Sequence, residues 1–99
     1  SWFERKRREK GRTSVTDGVP MAMPAIPLIE KLLHRAAKGG VAAPPPDPRL
    51  AMLLDEMDVG DAILNLVAAA QARGIDADAA ARGAAHRLRA DLLAAETPG

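Results

Sequence analysis

The sequence predicts an all-α fold, a packed antiparallel helical bundle, and three observations carry that prediction. No segment alternates apolar and polar residues as a half-buried strand would. Apolar residues recur instead at three- and four-residue spacing. Asp, Pro and Gly stand where helices would start and stop. At 99 residues the chain makes one domain at most, and a chain this short buries only roughly 60–65% of its unfolded surface. Apolar residues make up 47% of it, but aromatics only 2%, so alanine supplies much of the apolar content and each helix buries little area. Dimerisation, or a neighbouring segment to pack against, is therefore expected.

Four helices follow in order. The first is "SWFERKRREKG", with Ser1 and Glu4 spaced as a capping box and Gly11 to close it. "RTSVTDGVPMAM" then reads as a connector, with Asp17-Gly18 as a turn and Pro20 as a breaker. Together these form a basic helix and linker over residues 1–23. A helical domain is expected over 24–96, interrupted by a Pro-rich loop at 41–48.

Within that domain the second helix opens near Pro24 and runs through "LIEKLLHRAAK". Leu28, Ile29, Leu32, Leu33 and Ala36 form its apolar stripe, and Gly39-Gly40 end it. The third starts with Asp47 as N-cap and Pro48 in the first helical position, and its pattern runs on to Arg73 with Gly74 as the stop. Leu50, Leu53, Leu54, Met57, Leu64 and Val67 mark one face; Met52, Val59, Ile63 and Leu66 mark another. Apolar on two sides, this helix is expected to be the central, buried one. The fourth begins after Asp76 and ends near Glu96.

Charge and composition narrow the function. The net charge of +1 gives the whole chain no electrostatic preference, although residues 4–12 hold six bases against two acids. That run, with Trp2 and Phe3 beside it, has the composition of a nucleic-acid contact. A solvated helix with paired charges is the favoured interpretation, and no nucleic-acid partner is expected. No cysteine is present, which excludes disulfides and thiolate metal sites and accords with a cytoplasmic protein. No apolar run reaches the ~18 residues of a membrane span, and no signal-peptide h-region is seen. His34 and His86 have no partner at zinc-ligand spacing, and Ser14 lies in no nucleophile-elbow context.

Chemistry concentrates in "LLDEMDVGDAILNLV", which places Asp55, Glu56, Asp58 and Asp61 inside an apolar run. On one continuous helix Asp58, Asp61 and Asn65 share a stripe, with Asp55 at its edge. Carboxylates at i and i+3 are able to share a hard cation such as Mg²⁺. The same D-x-x-D spacing also describes the wet edge of an ordinary helix, and both readings stand.

Three ordered blocks resemble the MazG-type nucleoside triphosphate pyrophosphohydrolases. "DVGDAILNLVAAAQARGIDADAA" is similar to that family's E-[LM]-G-D-[LV]-L-…-A-R-x-x-G-[VI]-D-…-A stretch. "WFERKRREKGRTSVTDGVPMAMPAI" resembles W-…-K-…-E-K-…-S-x-x-D-G-[VI]-P-…-L-P-A-L, and "KLLHRAAKGG" resembles the K-…-R-A-…-G helix that comes next. The resemblance implies the linker and C-terminal domain of a two-domain member. It implies a dimeric all-α fold of the nucleoside triphosphate pyrophosphohydrolase type, and Mg²⁺-dependent hydrolysis between the α and β phosphates with release of pyrophosphate. The family holds its Mg²⁺ with E-E-x-x-E on one helix and E-x-x-D on the next, where the ion neutralises phosphate charge and activates water.

On this correspondence Asp58 and Asp61 occupy the E-x-x-D positions, and Lys31, Arg35 and Arg87 are candidate phosphate contacts. The departures are large. Asp58 replaces a longer glutamate, and no E-E-x-x-E occurs. "VAAPPPDPRLAML" stands where the family has a whole helix, so the bundle is expected to be one helix short. Ala68 and Ala85 replace two asparagines, and Arg87 replaces a lysine. The expectation is a C-terminal region with a degraded metal site, serving dimerisation and structure, that binds nucleotide only if the site is completed elsewhere. The alternative is a helical interaction module without nucleotide binding.

Overall fold

The computed structural model describes residues 14–97; the helix expected over residues 1–11 lies outside them. Among the described residues it is all-helical, with no strand. The helices are α1 (Ala25–Gly39), α2 (Pro48–Glu56), α3 (Val59–Ala72) and α4 (Ala77–Glu96). None of them is long and apolar enough to cross a membrane. The chain divides into two compact units, Ser1–Pro44 with Ala81–Gly99, and Pro45–Ala80.

The first unit holds the buried core. Pro24 stands at the N-terminus of α1, where its missing N–H has no intrahelical partner to lose. Gly40, at φ 68°, ends the helix in the left-handed conformation that glycine adopts freely. The Val41 N–H reaches Ala36 O at 2.9 Å and the Gly40 N–H reaches Ala37 O at 3.4 Å, the paired bonds of a Schellman stop. Val41 then packs on the core, as does Ala43, so the start of the Pro-rich loop is anchored. Leu28, Leu32 and Ala36 of the predicted stripe are fully buried, whereas Leu33 stays exposed. They form one apolar cluster with Val19 and with Ala85 and Leu92 of α4. Each buried leucine contributes roughly 1.5–3 kcal/mol relative to exposure.

Of the connector read over residues 12–23, residues 14–23 are described, and they form no helix. Asp17-Gly18 does turn, with Gly18 at φ 78° and the Val19 N–H bonded to Thr16 O at 3.2 Å. Yet Ser14, Val15, Thr16 and Val19 are buried, Val15 completely. A loop is buried only where its backbone polar groups find partners. Here those partners come from distant side chains, described below.

The second unit overturns two expectations. The helix predicted from Pro48 to Arg73 is two helices, because Met57 and Asp58 leave the helical conformation (φ −140°, ψ 136° and φ −68°, ψ 158°). Asp58 then restarts the chain as N-cap of α3. Nor is this region a buried centre: no residue of α2 or α3 is buried. Each helix has only the other beside it within the unit, so the second apolar side finds nothing to cover it. Leu50, Leu53 and Leu54 face Val59, Ile63 and Leu66 across a groove of about 270 Å³. The caps at either end follow the sequence. The Asp47 carboxylate accepts the Arg49 N–H at 2.9 Å, and the Asp76 carboxylate accepts the Ala79 N–H at 3.0 Å. Gly74, at φ 71°, closes α3 with a second Schellman pair, Ile75 N–H to Ala70 O and Gly74 N–H to Gln71 O.

Candidate functional site

The α2–α3 connection gathers the four acids of the candidate site: Asp55 and Glu56 at the end of α2, Asp58 between the helices and Asp61 in the first turn of α3. Asp58 and Asp61 are brought together, but by capping. The Asp58 carboxylate accepts the Asp61 backbone N–H at 3.0 Å, the N-cap to N3 bond of a capping box. The i, i+3 spacing that suits a shared cation is thus also the spacing of this cap.

That backbone bond is the main reason the Asp58 carboxyl ionises more readily than an ordinary aspartate. The Asp61 side chain and the Gly60 N–H act in the same direction, against a small opposing effect of burial. A negative charge is also favoured at a helix N-terminus. Gly60, expected in mid-helix, sits one residue into α3; a Cβ there would come within 3.2 Å of Asp58 Oδ1. Its lack of a side chain leaves room for the capping carboxylate. Asn65, the third member of the predicted stripe, donates to Asp61 O at 2.8 Å and lies 3.8 Å from Met57 Sδ.

Among the described residues, no group of three or more His, Cys, Asp or Glu side chains could hold a metal ion. Mg²⁺ demands near-octahedral oxygen ligands at about 2.0–2.1 Å. A pair of carboxylates, one of them engaged in capping, supplies few of those ligands, so the described donors do not fit the ion by themselves.

Lys31, Arg35 and Arg87 belong to the first unit. Lys31 and Arg87 are exposed, and the Arg87 guanidinium lies beside Gly83, 3.4 Å from where a Cβ would stand. Arg35 is half-buried, and its Nη1 donates to Val15 O at 3.4 Å and Asp17 O at 3.0 Å. Its charge is therefore spent at least partly on holding the buried turn.

Sequence reasoning missed the polar latch around that turn. Ser14 Oγ donates to Glu96 Oε1 at 2.6 Å, and the Val15 N–H donates to Glu96 Oε2 at 3.0 Å. Because the single Ser14 hydroxyl proton goes to the carboxylate, the Thr16 hydroxyl at 2.9 Å must be the donor to Ser14 Oγ. Thr16 N–H donates to the same oxygen at 3.1 Å, and Ser14 N–H donates to Asp17 Oδ2 at 3.2 Å. Further along, Arg82 donates to Met21 O at 3.2 Å and Met23 O at 3.1 Å. The S-x-x-D-G-V-P block (Ser14–Pro20) is thus a folded element in which Ser14, Val15, Thr16 and Val19 are buried. The Ser14–Asp17 spacing was a visible signal for its local turn; nothing local pointed to Glu96 or Arg82.

The chain is 41% identical over 96 residues to an uncharacterized 26.1 kDa protein in the blaB 3′ region of Streptomyces cacaoi. The alignment covers 96% of this chain and 37% of that relative, so the chain spans just over a third of the relative's length. No family model matches the chain, and no solved structure matches it.

Proposed function

We propose that this chain is a C-terminal region of a MazG-type nucleoside triphosphate pyrophosphohydrolase, cytoplasmic and homodimeric, whose ancestral Mg²⁺ site is degraded and whose role is now structural. The three ordered sequence blocks support the family. The observation that carries the loss of chemistry is the Asp58 carboxylate, which caps its own helix at 3.0 Å from the Asp61 N–H in a chain with no E-E-x-x-E motif. The all-helical architecture is compatible with a bundle of that type lacking one helix. Any conversion of a nucleoside triphosphate to monophosphate and pyrophosphate then needs acidic ligands from outside these 99 residues, and Lys31, Arg35 and Arg87 contact phosphate only in such a completed site.

One observation favours the alternative, a helical interaction module with no nucleotide affinity. Ten of the twelve large apolar side chains exposed among the described residues lie in Pro45–Ala80. Surface of that kind marks interaction sites.

Mg²⁺-dependent pyrophosphate release from standard and modified nucleoside triphosphates separates active from degraded, with Asp61→Asn as control. The expected result is no release above the control from a folded, helical sample. Release that disappears in Asp61→Asn would mean that the site is intact and the degradation reading is wrong. Isothermal titration with the same nucleotides then distinguishes a residual binding site from a module that ignores them.

A further inference from the structure

We infer that the groove between α2 and α3 receives a basic amphipathic helix from another protein; the inference rests on the interaction-module reading above and names its partner class. The groove walls are Leu50, Leu53 and Leu54 on one side and Val59, Ile63 and Leu66 on the other. Each presents between 38% and 69% of its surface to solvent. Apolar walls on two neighbouring helices fit the apolar stripe of a third.

Charge selects that third helix. Residues 50–72 hold four acids, Asp55, Glu56, Asp58 and Asp61, and no lysine or arginine. All four are exposed. Glu56 stands three residues after Leu53, about 60° around α2, and Asp58 directly precedes Val59. The acids thus flank the groove at the end where α2 meets α3. Asp58 and Asp61 have a local reason for their places, the cap described above. Asp55 and Glu56 have none. They stand in the last turn of α2, which holds no basic residue, and there the helix dipole disfavours negative charge and draws cations. Among the described residues neither is paired with a base; the ion pair of this unit, Asp47 with Arg49, lies at the start of α2.

A lysine or arginine beside the apolar stripe of an incoming helix supplies the charge that α2 lacks at this end. A second copy of α2 and α3 brings the same four acids instead, and an acidic helix adds repulsion to the same contact. Attraction of this kind weakens as salt screens it.

The test is a titration of the 99-residue chain against a fluorescently labelled synthetic helix of leucine and lysine, beside a counterpart of leucine and glutamate. Anisotropy follows binding at low and high salt. Expected are saturable binding of the lysine helix alone, weakening with salt, and about tenfold weaker binding in Glu56→Lys and in Leu66→Glu. Ile26→Glu, at an exposed site on α1, should bind as the unaltered chain does, and circular dichroism checks that the variants fold. Glu56 is exposed, so Glu56→Lys tests the charge even where Leu66→Glu fails to fold. No binding, equal binding of the two helices, or binding of the lysine helix that ignores both Glu56→Lys and Leu66→Glu overturns the inference. Dimerisation of the chain that Leu66→Glu abolishes would seat a second copy in the groove and overturn it as well. All of these leave the module reading standing; nucleotide binding by the chain is what overturns that reading.

Discussion

Ser14 Oγ and Glu96 Oε1 lie 2.6 Å apart although 82 residues separate them in sequence. The bond ties the start of the described chain to the last residue of α4. The other oxygen of the same carboxylate takes the N–H of Val15, a residue with no solvent exposure. Without Glu96 that N–H would be buried and unpaired, which costs about 1–3 kcal/mol. Glu96→Ala is expected to destabilise the chain by about that much in urea denaturation, and Glu96→Gln by less, because the amide oxygen still accepts one of the two bonds.

Arg82 does for residues 21–23 what Glu96 does for residues 14–15. Two guanidinium nitrogens reach two carbonyls two residues apart, Met21 O and Met23 O, a fork that lysine cannot reproduce. Arg82→Lys is therefore expected to lose stability by about 1 kcal/mol and Arg82→Ala by more. Faster hydrogen exchange across residues 19–25 in Arg82→Lys would locate the loss; unchanged exchange would mean that the segment is held by packing alone.

Legibility from the sequence followed locality. Asp47 and Asp76 as N-caps, and Gly40 and Gly74 as stops, depend on neighbours within five residues, and all four lie where the pattern places them. The break at Met57–Asp58 is local too, but D-x-x-D belongs equally to a helix edge and to a capping box, and periodicity alone does not separate the two. The burial of Ser14–Thr16 depends on Glu96, and Arg35 turns out to serve the same turn. No local rule connects these residues. The apolar faces of α2 and α3 were legible as apolar; that they are exposed depends on what stands beside them.

The uneven burial gives the two units opposite sensitivities. Leu92 and Leu32 are fully buried in one cluster, whereas Met52 is 71% exposed on α2. Leu92→Ala and Leu32→Ala are each expected to cost about 2–5 kcal/mol. Met52→Ala is expected to change monomer stability by no more than about 0.5 kcal/mol. Thermal denaturation of the three variants at concentrations below association checks the contrast, and a large loss in Met52→Ala would mean that Met52 is packed within the monomer rather than exposed.

Acidification should act first on α2 and α3. The Asp47 carboxyl is held below the ordinary aspartate range mainly by the Arg49 guanidinium and then by the Arg49 N–H. The Asp58 carboxyl is held below it mainly by the Asp61 N–H. Folding thus favours the ionised form of both. Their contribution is complete above the ordinary aspartate pKa of about 3.9 and is lost as pH falls through the lower folded values. Between pH 6 and pH 2.5 the Arg49 and Asp61 amide resonances should shift toward uncapped positions before those of Leu28 or Leu32 change. Asp58→Asn removes the titrating group and keeps a good capping oxygen, so in that variant the Asp61 amide should hold its position across the same range. An Asp61 amide that still moves with acid in Asp58→Asn would mean that the Asp58 carboxyl is not the group on which acid acts.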